Sequence, residues 1–128
     1  MHDDVAKQPV DQTLVVSRNY QAVYADLLDR TRTCLRAGTA ITPMAYTTVD
    51  GQLYPELGYG EVIAGLSGMM PGLTSVTRVE RAANGAVVKI KTANLGEVAA
   101  RRDRGWIAYW ARSGKACAAL GRMDPPTA

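Results

Sequence analysis

GYGEVIAGLSGMMPGL, residues 58–73, holds five glycines, and its reading separates a nucleotide-binding α/β fold from an antiparallel one. The uncharged run that begins in it at Val62 continues to Thr77. A phosphate-cradling P-loop ends in Gly-Lys-Ser/Thr, and no lysine occurs in this stretch. The dinucleotide fingerprint needs a parallel strand before it and a helix after it; here Pro71 follows instead. On an extended chain Gly58, Gly60, Val62, Ala64 and Leu66 share one face. Small residues there let a helix lie close to the sheet, the helix carrying Tyr20 and Tyr24 being the candidate. Ser67 to Gly72 then connects to the next strand, with Met69 and Met70 read as gap-fillers of the core or as an exposed tip. The stretch predicts a strand and a turn.

Downstream, Asn84-Gly85 separates TSVTRVERAA from AVVKIKTA, and such a pair favours a type I′ hairpin turn with positive φ at both central residues. In the last strand Ala86, Val88, Ile90 and Thr92 face one way, and Val87, Lys89 and Lys91 the other. The strand before it is less regular, with Leu73, Val76 and Val79 three apart, which predicts a bulge or a late start. Upstream, Asp50-Gly51 separates TPMAYTTV from QLYPELGY and reads as a second hairpin turn.

Two helices flank these strands. After the short run Leu14-Val15-Val16, Ser17 or Asn19 can cap a helix over YQAVYADLLDRTRTCLRAG. Val23, Tyr24, Leu27, Thr31 and Cys34 fall within about 60° of one line on it, and Gly38 stops it. After Asn94-Leu95-Gly96 a second helix is expected over EVAARRDRGWIAYWARSGKACAALG, with a kink or late start allowed at Gly105. With Trp106 as origin, Trp110, Ser113 and Cys117 lie within about 40°. Arg101, Arg104, Arg112, Lys115 and Arg122 gather opposite, with Ala108 among them. The expected order is β-α-β-β-β-β-α: an α+β, two-layer domain with a curled antiparallel sheet of about five strands and both helices on one face.

The chain of 128 residues fits one domain, read as a polar tether over 1–12, a folded unit over 13–122 and a tail over 123–128. No run reaches the roughly 18 apolar residues of a membrane span; the uncharged run from Val62 to Thr77 is too short and is interrupted by Gly65, Gly68, Pro71 and Gly72. From Val76 to Arg122 ten Lys/Arg stand against Glu80, Glu97 and Asp103, a balance that attracts nucleic acid, anionic lipid or an acidic partner. Basic residues interleave with Trp106, Tyr109 and Trp110, but the projection puts rings and charges on different sides, against a nucleic-acid stacking platform.

Chemistry finds little purchase. The one histidine is His2, outside the expected fold, which removes Ser-His-Asp, Cys-His and HExxH mechanisms. No metal set and no cofactor motif is recognisable. Glu56 and Glu61, five apart on one strand, are expected on opposite faces, and Asp26 and Asp29 read as helix surface charges. A reactive Cys34 would have Arg30, Arg32 and Arg36 beside it, but a helix C-terminus opposes a thiolate. The expectation is a non-enzyme. Cys34 and Cys117, the only cysteines, fall on the apolar sides of their helices, either bridged or as two buried thiols. The even count favours the bridge.

VSRNYQAVYADLLDRTRTCL, GYGEVIAGLSG and WIAYWARSGKAC together resemble small uncharacterised lipoproteins of proteobacterial envelopes. The resemblance covers most of the folded chain through structural motifs. It implies an exported, lipid-anchored α+β domain on the periplasmic side of the envelope, with Cys34 paired to Cys117 and no catalytic residues. The leading expectation is therefore an interaction or structural module with a protein partner of the envelope, anchored to the membrane by lipid. A second reading is a carrier of a small apolar ligand between helices and sheet, lined by Tyr46, Tyr54, Tyr59, Met69 and Met70. A third is contact with nucleic acid or an anionic surface through Arg101, Arg104, Arg112 and Lys115, with nucleic acid the less favoured.

Overall fold

The computed structural model describes residues 11–34, 40–42, 45–68, 72–93 and 96–115. Within them the chain runs β1 (Gln12–Val16), α1 (Tyr20–Cys34), β2 (Ala40–Thr42), β3 (Ala45–Tyr54), β4 (Tyr59–Gly68), β5 (Gly72–Ala82), β6 (Gly85–Thr92) and α2 (Glu97–Ser113). The six strands form one antiparallel sheet in the order β1-β6-β5-β4-β3-β2. Consecutive hairpins build β2 to β6, and β1 adds beside β6. α1 must therefore carry the chain from one edge to the other, and it packs on β3, β4, β5 and β6 as it crosses. α2 returns over β6 and β1 beside α1. The α+β, two-layer architecture expected from the sequence is present, with one strand more than the expected five.

Alternation decides what faces the helices. Leu14, Val16, Val49, Val62, Ala64, Val79, Ala86, Val88 and Ile90 are buried on one side of the sheet, in one cluster with residues of both helices. An antiparallel sheet with one covered face produces this in-out pattern, and each large apolar side chain buried there contributes about 1.5–3 kcal/mol. α1 buries Tyr20, Val23, Tyr24, Leu27 and Thr31, the face its periodicity foretold. Asn19 is its cap: its Oδ1 accepts from the N–H of Gln21 (2.9 Å) and Ala22 (3.2 Å).

The glycines explain how closely the layers approach. A Cβ on Gly60 would lie 2.6 Å from Tyr24 Cδ1, so the ring of Tyr24 occupies the space the glycine leaves. The close helix approach expected for the 58–73 stretch is present. Gly51 does the same: its Cβ would meet the Tyr24 hydroxyl at 2.5 Å and Leu28 Cδ1 at 2.7 Å. That corrects the upstream hairpin. Asp50-Gly51 is not a turn but the middle of β3, where Gly51 pairs with Val62. The reversal comes instead at Pro55–Gly58. Pro55 has no N–H to give a ladder, Gly58 takes φ +75, and Leu57 and Gly58 donate to Tyr54 O at 3.0 Å each.

Two finer expectations are resolved by register. β5 carries the bulge: Ala64 pairs with Ser75 and Gly65 with Leu73, leaving Thr74 extra, its carbonyl accepting from Ala93 N at 3.0 Å. The β5–β6 hairpin is where it was expected, but shifted by one residue. Ala82 pairs with Gly85, so Ala83 and Asn84 form the turn and Gly85 (φ +147) opens β6. The tether boundary also moves: Asp11 N donates to Ile90 O and Gln12 is already in β1, so the folded unit reaches back to these residues.

α2 differs from its projection in length and rotation. It runs unbroken through Gly105 and ends at Gly114, a left-handed cap (φ 70) whose N–H donates to Trp110 O at 2.8 Å. Its buried residues are Ala100, Trp106, Ile107, Ala108, Trp110 and Ala111, centred near Ile107 and not Trp106. Ser113, expected with the tryptophans, is exposed, and Ala108, expected among the arginines, is buried. Trp106 stacks on Trp110 (centroids 5.7 Å apart) and meets Tyr109 edge-on at 5.9 Å. Two arginines tie the end of α2 to α1. Arg18 Nη1 donates to Ala111 O at 3.0 Å while its Nη2 pairs with Asp26, and Arg30 Nη2 donates to Gly114 O at 2.9 Å. Cations at a helix C-terminus meet both its unpaired carbonyls and its dipole. Asp26 is thus part of the helix junction and no mere surface charge.

Candidate functional site

Among the described residues no element packs on the other face of the sheet, and the hairpin registers give its layout. Lys91, Val76, Ile63 and Asp50 form one row across β6, β5, β4 and β3. Lys89, Arg78, Glu61 and Gln52 form the next; Val87, Glu80, Tyr59 and Tyr54 the third. β1 adds Thr13 beside Lys89 and Val15 beside Val87. The first row is apolar at its middle, where Val76 is buried (3 % exposed) and Ile63 half-buried; the rest of the face is basic towards β6 and acidic towards β3.

Its centre is internally organised. The Arg78 guanidinium lies over the Tyr59 ring, 3.8 Å from the centroid, and Tyr59 packs on Tyr54 at 5.1 Å. Glu80 joins two strands, with Lys89 Nζ 3.2 Å from Oε1. Arg78 Nε sits 2.8 Å from Glu80 Oε2 as an ion pair without hydrogen-bond alignment. Between half-exposed groups such pairs add about 0–1 kcal/mol each, so their effect is to hold side-chain positions rather than the fold. Sequence reasoning missed this cluster. The one signal was Lys89 and Lys91 alternating against the apolar positions of β6; their neighbours are defined only by register.

The expected ligand lining is not assembled. Tyr54 and Tyr59 stand on this open face, and so does Tyr46, which has the opposite parity to inward Val49 on β3. They do not line a space between helices and sheet, where Tyr24 and Leu28 fill the room above Gly51 and Gly60. Met69 and Met70 lie outside the described residues. The basic set is divided too. Arg104 is turned in by the rotation of α2, donating to Thr92 Oγ1 at 3.1 Å and lying 3.9 Å from Asp11. Arg101 pairs with Glu97 at 3.1 Å on the exposed side, and Arg112 and Lys115 are exposed. Glu56 sits in the β3–β4 turn and Glu61 on the open face, so the two share no strand.

Cys34 ends α1 packed against the core, and it is disulfide-bonded. No described cysteine is free. Cys117, the one other cysteine of the sequence, lies outside the described residues. Among the described residues no group of three or more His, Cys, Asp or Glu could hold a metal, and no helix is long and apolar enough to cross a membrane.

Two titrating groups are displaced. Burial pushes the Tyr24 hydroxyl above its ordinary value, partly offset by Arg32. Burial likewise raises the Asp103 carboxyl on α2, partly offset by Arg102. A carboxyl whose pKa rises on folding opposes folding when ionised. The cost is absent below the ordinary 3.8 and complete once pH exceeds the folded value. Asp103→Asn is therefore expected to raise Tm at pH 7, the gain shrinking as pH falls towards 4; an equal gain at both pH values would show that the charge is not the cause.

No protein-family model, curated protein or solved structure matches the chain.

Proposed function

We propose that this chain is a non-catalytic domain of the cell envelope, facing the periplasm and held at the membrane by a lipid anchor, that works as an interaction or structural module. The observation that carries the compartment is the disulfide at Cys34 in a chain with a single other cysteine, Cys117. Bridges persist in oxidising compartments and are rare where glutathione keeps thiols reduced. The resemblance to envelope lipoproteins supports the same place and supplies the anchor. The absence of any histidine but His2 from the sequence supports a role without acid–base chemistry. What the domain offers a protein partner is the open face, where Arg78, Tyr59, Glu80 and Lys89 are already held in position. Side chains held before contact lose less entropy on binding.

The test is a thiol count on the purified chain, unfolded without reductant. The bridge Cys34–Cys117 predicts no reactive thiol before reduction and two after it. Two reactive thiols in the unreduced chain, purified from its native compartment, would remove the reading.

A further inference from the structure

The outer edge of the sheet at β1 is laid open by the hydrogen-bond parity of the strand beside it. The turn Ala83-Asn84 closes on Ala82 and Gly85, which makes those two a hydrogen-bonded pair. Parity then turns the main-chain groups of Val87, Lys89 and Lys91 to β5, and those of Ala86, Val88 and Ile90 to β1. Two bonds agree with this: Ala93 N donates to Thr74 O at 3.0 Å, and Asp11 N to Ile90 O at 2.9 Å. The partners of Ala86, Val88 and Ile90 are Val16, Leu14 and Gln12. Thr13 and Val15 therefore direct their N–H and C=O groups outward, away from β6. Both residues are exposed, Val15 at 80 %, so no strand lies along them. Such an edge is a template for an added strand, and residues 12–16 contain neither the charge nor the proline that commonly guards one.

α2 supplies charge beside this edge. It runs in the direction of β1: Arg104 lies by Asp11, just before β1, and Arg18, just after β1, donates to Ala111 O. With Ile107 towards the sheet, the 100° step puts Arg101, Arg104, Ala108 and Arg112 on one flank of α2 and both tryptophans on the other. The tryptophans belong to the core shared with α1, so the arginine flank looks out over β1. Arg101 pairs with Glu97 and Arg104 with Asp11. Arg112 and Lys115 are exposed and have no ion-pair partner among the described residues.

We infer that the β1 edge takes an extended segment of a partner protein as a seventh, antiparallel strand, with acidic side chains on its helix-facing side near Arg112 and Lys115. The inference rests on the reading of the domain as an interaction module and adds a surface distinct from the open face. In strand addition the main chain gives affinity and alternate side chains give specificity. Here the outward groups of Thr13 and Val15 supply the first, and the unpaired cations the second. A second copy fits less well, because pairing β1 with itself sets two arginine flanks side by side, and like charges across a contact oppose it.

The probe is a blocked peptide, acetyl-Glu-Thr-Glu-Val-Val-Thr-Gln-amide. Its glutamates fall opposite Arg18 and Val16 when its first valine pairs with Val15. Titrated into the isotope-labelled chain, it is expected to shift the NMR amide signals of Thr13 and Val15 most. With lysine for both glutamates it is expected to bind about 10-fold more weakly or worse at low salt. Val15→Pro removes an outward N–H that the sheet does not use. That variant is expected to keep its native circular-dichroism spectrum and to lose binding about 10-fold or more. Arg112→Glu, an exposed change, is expected to weaken binding about 5-fold and serves where the proline variant fails to fold. No binding at about 1 mM peptide, equal binding of the lysine peptide, or folded variants that bind like wild type would each overturn the inference. Self-association through the same amides would overturn it too, by making the occupant a second copy. Shifts centred on Arg78 and Tyr59 would remove the edge and keep the interaction reading, and the thiol count is indifferent to every one of these results.

Discussion

Gly85→Ala is expected to lower the unfolding free energy by about 4 kcal/mol, a large share of the roughly 5–15 kcal/mol a domain possesses. Two independent costs combine. At φ +147 an L-residue is strained, worth about 1–3 kcal/mol. The added Cβ would also lie 2.1 Å from Val16 O and 3.0 Å from both Ser17 Cα and Arg18 N. All three are backbone atoms, which no rotamer change can move aside, and overpacking of this kind costs about 1–3 kcal/mol by itself. Relief would require β1 to lift from β6 just before Arg18, the residue that holds the end of α2 through Ala111 O. The damage therefore spreads from a hairpin to the helix layer. Urea denaturation checks it, through a lower midpoint at unchanged slope. Gly96→Ala is the control: that glycine has nothing within 4 Å of its added Cβ, and as the extended N-cap of α2 its change is expected to cost no more than about 1 kcal/mol. Equal losses at both sites would show that the crossing of β1 over Gly85 is not what the residue serves.

What could be read from the sequence follows the range of the interactions involved. α1 was legible because its cap, its apolar stripe and its length are local properties, and Tyr20, Val23, Tyr24, Leu27 and Thr31 are the residues it buries. The alternation of β6 was legible for the same reason. Asp50-Gly51 misled because a glycine has two uses. The local one is a turn; the actual one is room for Tyr24 and Leu28, which arrive from a helix more than twenty residues earlier. Misplacing that reversal also misplaces the register of β3 on β4, and with it every neighbour on the open face. Hence Lys89 and Lys91 could be assigned a side, while Glu61, Arg78 and Glu80 could not be assigned to them. α2 shows a second limit. Its two tryptophans dominate any hydrophobic projection, yet the side nearest the layer beneath includes Ala100, Ala108 and Ala111, whose small size permits close packing. The axis turned by roughly one residue's 100° step, which moved Arg104 from the basic stripe to Thr92 and Asp11.

The same glycine logic gives the second large effect. Gly60→Val is expected to cost about 3 kcal/mol or more. A Cβ there would stand 2.6 Å and 2.9 Å from Tyr24 Cδ1 and Cε1, and 3.0 Å from Leu53 Cδ1; valine's two methyls add to the overlap. The Leu53 tip can rotate away. The Tyr24 ring is buried beneath α1 and can yield only if the helix backs off the sheet. Tyr24→Ala alone is expected to cost about 3 kcal/mol for the opposite reason, a void over Gly60 and Gly51. Combined, each change supplies what the other lacks, since the valine methyls enter the space vacated by the ring. The double variant is therefore expected to be more stable than the sum of the two losses by at least about 1 kcal/mol, the coupling seen between residues in contact. Denaturation of the four chains in that cycle measures it. Strict additivity would mean that Tyr24 and Gly60 do not share this space, and the close seating of α1 on β4 would fall with it.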